Sequence, residues 1–160
     1  MEQRILEILE QNSKITLEKM AIMLGVTQAA LDEELNRLEA NRTILGYHTV
    51  VDWEKTDREL VTALIEVKVT PQRGLGFDKI AERIYQYSEV TAVYLMSGGF
   101  DLTVVIEGKS MKDVALFVSQ KLAPMDSVLS CATHFVLKKY KQNGVIFGPE
   151  EKDQRAAIWL

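Results

Sequence analysis

Residues 90–107 read VTAVYLMSGGFDLTVVIE, two apolar runs rich in β-branched and aromatic residues on either side of Ser97-Gly98-Gly99. Short runs of this kind, bounded by glycine, predict two strands joined by a tight connection. On the upstream side, Phe77, Ile80, Ala81 and Ile84 recur at spacings of three and four, which puts them on one face of a helix. Before that helix, Ala63, Ile65, Val67 and Val69 alternate with Leu64, Glu66, Lys68 and Thr70, the period of a strand with one better buried face; it stops at Pro71, and residues 72–76 read as loop. On the downstream side, Ser110 is placed to cap a helix carrying Val114, Phe117, Val118 and Leu122, Pro124 lies beyond its end, and residues 128–137 form a last strand. The predicted order is strand, helix, strand, strand, helix, strand.

That order is the split βαβ, or ferredoxin-like, arrangement, whose antiparallel sheet buries one face under two helices and leaves the other uncovered. Apolar residues stand on both faces, Leu64 beside Ile65 and Val104 beside Val105, so a second subunit is expected to cover part of the open face or edge.

The first fifty residues follow a different period. Ile5, Leu6, Ile8 and Leu9 predict a first helix that Asn12-Ser13 ends. Thr16 is an N-cap for a second helix through Leu17, Met20, Ala21 and Leu24, and Gly25 supplies its left-handed end. Thr27 caps a third, in which Leu31, Leu35 and Leu38 face inward up to about Asn41, while Met20 and Met23 read as core. Residues 44–51 are β-prone and lead into a polar stretch. The expected fold class is α+β, an N-terminal winged helix-turn-helix joined to a C-terminal ferredoxin-like βαββαβ domain. The expected boundaries are a helix-turn-helix at 1–51, a linker at 52–61, the ferredoxin-like domain at 62–141 and a polar tail at 142–160, whose final Ile158-Trp159-Leu160 is left open.

Composition narrows the function. The 160 residues are 47% hydrophobic and 26% charged, as in a globular protein with a core. No apolar run approaches the roughly 20 residues of a membrane span, and no secretion signal opens the chain, so a cytoplasmic location is expected. One cysteine excludes an intrachain disulfide, and Cys131 reads as a buried strand thiol. With only His48 and His134 beside it, no nucleophile, base and orienter can be assembled, so neither an enzyme, a cofactor nor a metal site is expected. Charge runs against nucleic acid: residues 1–59 hold 7 Lys and Arg against 12 Asp and Glu, a net of −5 within a total of −4.

The stretches Leu24-Gly25-Val26-Thr27, Arg37-Leu38-Glu39 and Ile44-Leu45-Gly46-Tyr47, with Gly98-Gly99-Phe100-Asp101 at the hairpin, resemble the Lrp/AsnC transcription regulators, and the resemblance runs to about Tyr140. It implies double-stranded DNA as a partner, assembly into a homodimer or higher homo-oligomer, and a small effector, an amino acid or related metabolite, bound between subunits.

In a helix-turn-helix the third helix enters the major groove. Thr27, Gln28, Ala29, Asn36, Arg37 and Arg42 are then the DNA-contact candidates, the arginines mainly for phosphate. The chain departs from the family pattern at Asp32, Glu33 and Glu34, where basic side chains are usual. This keeps a second reading open, an effector-binding or protein-interaction module with little DNA affinity. At the hairpin the resemblance implies that Ser97, Gly98, Gly99, Asp101 and Thr133 border the effector, Asp101 meeting its α-ammonium; a plain hairpin turn is the other reading. Thr133 and His134 alternate on the last strand, so at most one faces a given cleft. Tyr47, His48 and Trp53 are expected to pack between domains or across a dimer, and Lys138, Lys139 and Lys141 to be a solvated run or a touch on DNA.

Overall fold

The computed structural model describes residues 1–70 and 76–148. The chain divides into two compact units, Met1–Val50 and a second beginning at Val51. The loop expected at 72–76, save Gly76, and the end of the expected tail fall outside the described residues.

The first unit contains α1 (Glu2–Gln11), α2 (Leu17–Leu24) and α3 (Gln28–Ala40). Both threonine caps form: Thr16 Oγ1 accepts from the Lys19 N–H at 3.3 Å, and Thr27 Oγ1 accepts from that of Ala30 at 3.2 Å. Each satisfies one of the amides that a helix start leaves unbonded. Ile5, Met20, Ala21, Leu31 and Leu38 are buried together, with Leu35 and Ile44 packed at the margin. Met23, expected in the core, is 56% exposed. It lies three residues beyond Met20, far enough around an eight-residue helix to leave the narrow buried stripe. The β-prone residues after α3 form no strand: 41–50 are turn and irregular backbone, because the described unit offers no second strand to take their N–H and C=O groups, so the expected wing does not form within one chain.

The second unit opens with a short 3₁₀ turn, Trp53–Lys55, capped by the Asp52 carboxylate, which accepts from the Glu54 N–H. Arg58 lies 4.3 Å over the Trp53 ring, so the expected linker is in part folded. Then come β1 (Val61–Val69), α4 (Asp78–Tyr85), β2 (Val90–Leu95), β3 (Leu102–Gly108), α5 (Met111–Phe117) and β4 (Val128–Phe135). The sheet is antiparallel in the order β2-β3-β1-β4. Ser110 caps α5 by accepting from the Asp113 N–H at 3.1 Å. Beyond α5 the helix widens into a π turn, Val118–Leu122, and Leu122 is fully buried.

Ala63, Ile65, Val67, Leu102, Val104 and Ile106 pack against Ile80, Ile84, Val114, Phe117 and Leu122 as one core. The opposite face of the sheet carries Leu64, Val105, Tyr94, Ala132 and His134. In place of the tail expected from 142, β5 (Lys141–Gln142) and β6 (Val145–Ile146) pair across Asn143 and Gly144, whose φ values are +48° and +80°. Asn-Gly between short β-formers is a hairpin signal that the charged surroundings obscured.

Candidate functional site

The turn between α2 and α3 is built on Gly25. At φ +69° it takes the left-handed conformation that costs other residues most, its N–H bonds the Ile22 carbonyl, and the Val26 N–H bonds that of Ala21. Thr27 therefore opens α3 two residues after α2 closes. With Leu31 and Leu38 wholly buried, Gln28, Ala29, Asp32, Glu33, Asn36 and Arg37 point outward. The first turn of α3 has no acidic residue, so its unbonded amides face solvent without a competing carboxylate; Asp32, Glu33 and Glu34 begin just beyond it.

The other polar candidates differ in how far they are engaged. Asn36 Nδ2 donates to Asp32 Oδ2 at 3.3 Å. Arg37 donates from Nε and Nη2 to the two oxygens of Glu34, both at 2.8 Å, and from Nη2 to Glu2 Oε2 at 2.6 Å. These bonds hold the Glu34 carboxyl below the usual carboxylate range and push the Arg37 guanidinium up. Arg42 follows the C-cap Asn41 at φ +63°, and its exposed side chain has no hydrogen bond or ion pair among the described residues. Nearby, the Tyr47 hydroxyl donates to Glu39 at 2.8 Å, and burial, then Glu39, raises the phenol.

At the β2–β3 connection the Met96 N–H bonds the Asp101 carbonyl at 2.8 Å. Gly98 has φ +153°, while a Cβ at Gly98 or Gly99 would meet nothing within 4 Å. Ser97, Gly98 and Gly99 are exposed and Asp101 is half-buried. Asp101 Oδ2 accepts the Val69 N–H at 2.8 Å, and its own N–H donates to the Val67 carbonyl at 3.1 Å. The aspartate thus ties the hairpin to the end of β1, where the ladder to β4 shifts register between Lys68 and Val69.

Thr133 does not join this cluster. It stands opposite Ile65, on the helix-covered side of the sheet, whereas His134 is on the open side with Nε2 3.5 Å from Glu66 Oε1. Cys131 is half-buried and burial raises its thiol. Among the described residues no group of three or more His, Cys, Asp and Glu side chains is arranged to hold a metal, and no helix is long and apolar enough to cross a membrane.

The description "Lrp/AsnC ligand binding domain" matches residues 62–146. The uncharacterized HTH-type transcriptional regulator YugG of Bacillus subtilis is 51% identical over 158 residues, covering 98% of this chain and 95% of YugG. The chain belongs to the Lrp/AsnC family. As in that family, a helix-turn-helix is followed by a ferredoxin-like domain, and the protein is a transcription regulator, not an enzyme. The HTH-type transcriptional regulator LrpA of Pyrococcus horikoshii is 28% identical over 86% of this chain and 94% of its own length. The transcriptional regulator NMB0573 of Neisseria meningitidis, solved as a complex with L-Met, shares the fold at a TM-score of 0.71 and 20% identity, over 88% of this chain and 90% of that one.

Two partners in this Lrp/AsnC chain escape a reading by periodicity. Glu2 reaches Arg37 from 35 residues away, and the Val69 amide reaches Asp101 from 32. Helical spacing could have suggested Glu34 as a partner of Arg37, three residues on.

Proposed function

We propose that the chain binds double-stranded DNA through the N-terminal face of α3, assembles as a homodimer or higher homo-oligomer through its second unit, and responds in the cytoplasm to an amino acid or related metabolite at the β2–β3 hairpin. The observation that carries the DNA reading is the Gly25 turn between two threonine-capped helices, which leaves Thr27, Gln28 and Ala29 exposed at a helix start free of carboxylates. Residues at that end of a recognition helix reach base edges. Asn36 and Arg42 lie farther along or beyond the helix as candidate contacts, whereas Arg37, the third expected from the sequence, is engaged by Glu34 and Glu2. Leu64, Val105 and Tyr94 on the uncovered sheet face support assembly, because a sheet open on one side with apolar residues there gains from a cover.

For the effector, the proposed cluster is Ser97, Gly98, Gly99 and Asp101. Asp101 spends Oδ2 on Val69, which leaves its other oxygen to meet an ammonium group. The L-Met held by the Neisseria protein supports an amino acid as the class to try first.

One observation favours the second reading, an effector module with little DNA affinity: Asp32 and Glu33 are exposed on the same side of α3 and would repel phosphate. A mobility-shift assay on DNA from upstream of its own coding sequence, with and without an amino-acid mixture, separates the two. Retardation that the mixture alters supports the regulator acting through an effector. Absence of retardation at low salt, on this DNA and on mixed genomic fragments, leaves the second reading.

A further inference from the structure

The first unit has three arginines, and the fold treats them differently. Arg4 donates from Nη2 to the Met23 carbonyl at 3.4 Å. Arg37, half-exposed, has two of its nitrogens committed to Glu34 and Glu2, joining the start of α1 to the end of α3. With Nε and Nη2 engaged only Nη1 is left to offer a phosphate, and the two carboxylates beside it, Glu34 and Glu2, offset the charge of the guanidinium and repel an anion.

Arg42 shows the converse. Its backbone closes the end of α3, the N–H donating to the Glu39 carbonyl at 3.0 Å, and it does so at φ +63°, where an L side chain is strained and glycine or asparagine is favoured. The neighbouring turn is finished without its side chain: Asn41 Oδ1 accepts the Thr43 N–H, and the Ile44 N–H reaches the Leu38 carbonyl. The strain therefore serves no internal contact of the guanidinium, which stands in solvent just past the helix.

We propose that these two arginines have separate roles: Arg42 is the phosphate anchor at the end of α3, and Arg37 is a tie between α1 and α3 that contacts no phosphate. The inference rests on the DNA-binding reading and divides a charge set that helical spacing alone treats as equivalent. A backbone contact of this kind positions the protein without reading sequence, so base recognition is left to the start of α3.

The test is fluorescence anisotropy of the full-length protein on a labelled mixed-sequence duplex across a salt series, with thermal melts of each variant. Arg42→Asn should make the slope of log K against log salt shallower by about 1 per subunit while the melting temperature holds or rises by about 2 to 5 °C. Arg42→Lys, which keeps the charge, should retain most of the slope. Arg37→Gln should lower the melting temperature and leave the slope unchanged, and Glu2→Gln with Glu34→Gln should not raise affinity by more than about twofold. A shallower slope for Arg37→Gln, or a large gain in affinity when its two carboxylates are neutralised, overturns the division of roles, as does an unchanged slope for Arg42→Asn. Wild-type protein that binds no duplex at low salt overturns the DNA reading itself and removes the inference with it; the two failures are told apart by whether wild type binds.

Discussion

Asp101 has two jobs that a substitution can separate. Its Oδ2 is the acceptor for the Val69 amide at the register shift of β1, while its second oxygen is the one proposed for an effector ammonium. Asp101→Ala leaves a partly buried N–H without a partner and should cost about 1 to 3 kcal/mol in urea unfolding. Asp101→Asn keeps an acceptor for Val69, so it should unfold nearly as wild type yet weaken amino-acid binding by about 1.5 to 3 kcal/mol in calorimetry. Equal binding by the Asn variant and wild type would count against the ammonium role while leaving the structural one intact. The Arg37 tie gives a pH signature. Glu34 is held below its ordinary value of 4.5, first by the Arg37 hydrogen bonds, so its folded value lies under its unfolded one. Its contribution is therefore complete above about pH 4.5 and lost as pH falls through the lowered value. Thermal stability of wild type should fall more steeply in that acid window than that of Glu34→Gln; parallel curves would remove the tie from the stability of the unit.

At the scale of elements, α3 pairs a start without acids with a middle that has three. Because Asp32 and Glu33 are exposed there, Glu33→Gln should raise affinity for all DNA sequences alike, read as parallel shifts of specific and mixed-sequence binding curves. The helices and strands were largely legible because their signals are local. Ser110, Thr16 and Thr27 cap where their position before an apolar stripe says they should, and the alternation of Ala63, Ile65, Val67 and Val69 matches the buried face of β1. What escaped depends on partners. Residues 44–51 have strand-forming side chains but no neighbouring strand, the Asn143-Gly144 hairpin sits in a run of charge, and Thr133 shares a strand with His134 but faces the helices. Period-two alternation cannot say which face a ligand would use. The open sheet face gives its own test: Leu64→Asp places a charge among its apolar residues without touching the helix-covered core. It should reduce a light-scattering oligomer to the 18.1 kDa monomer with the circular dichroism unchanged. An oligomer that persists would move assembly to another surface.

Over the whole molecule, the helical and sheet-forming units each have a core of their own: Ile5, Met20, Ala21, Leu31 and Leu38 in one, and the cluster around Ile65, Val104 and Phe117 in the other. Breaking one core does not remove the apolar contacts that hold the other. If assembly runs through the second unit as proposed, the division has a consequence in genetics. A Leu31→Asp allele loses the first core but still supplies a subunit able to join wild-type assemblies, and each such assembly carries fewer working readers. An Ile65→Asp allele loses the core that assembly requires, so its product is excluded and wild-type subunits combine undisturbed. Co-expressed with wild type above a reporter driven by the chain's own upstream DNA, the first allele should be dominant and the second recessive. Dominance would thus map to the shorter first unit and recessiveness to the longer second one, with the border close to Val50.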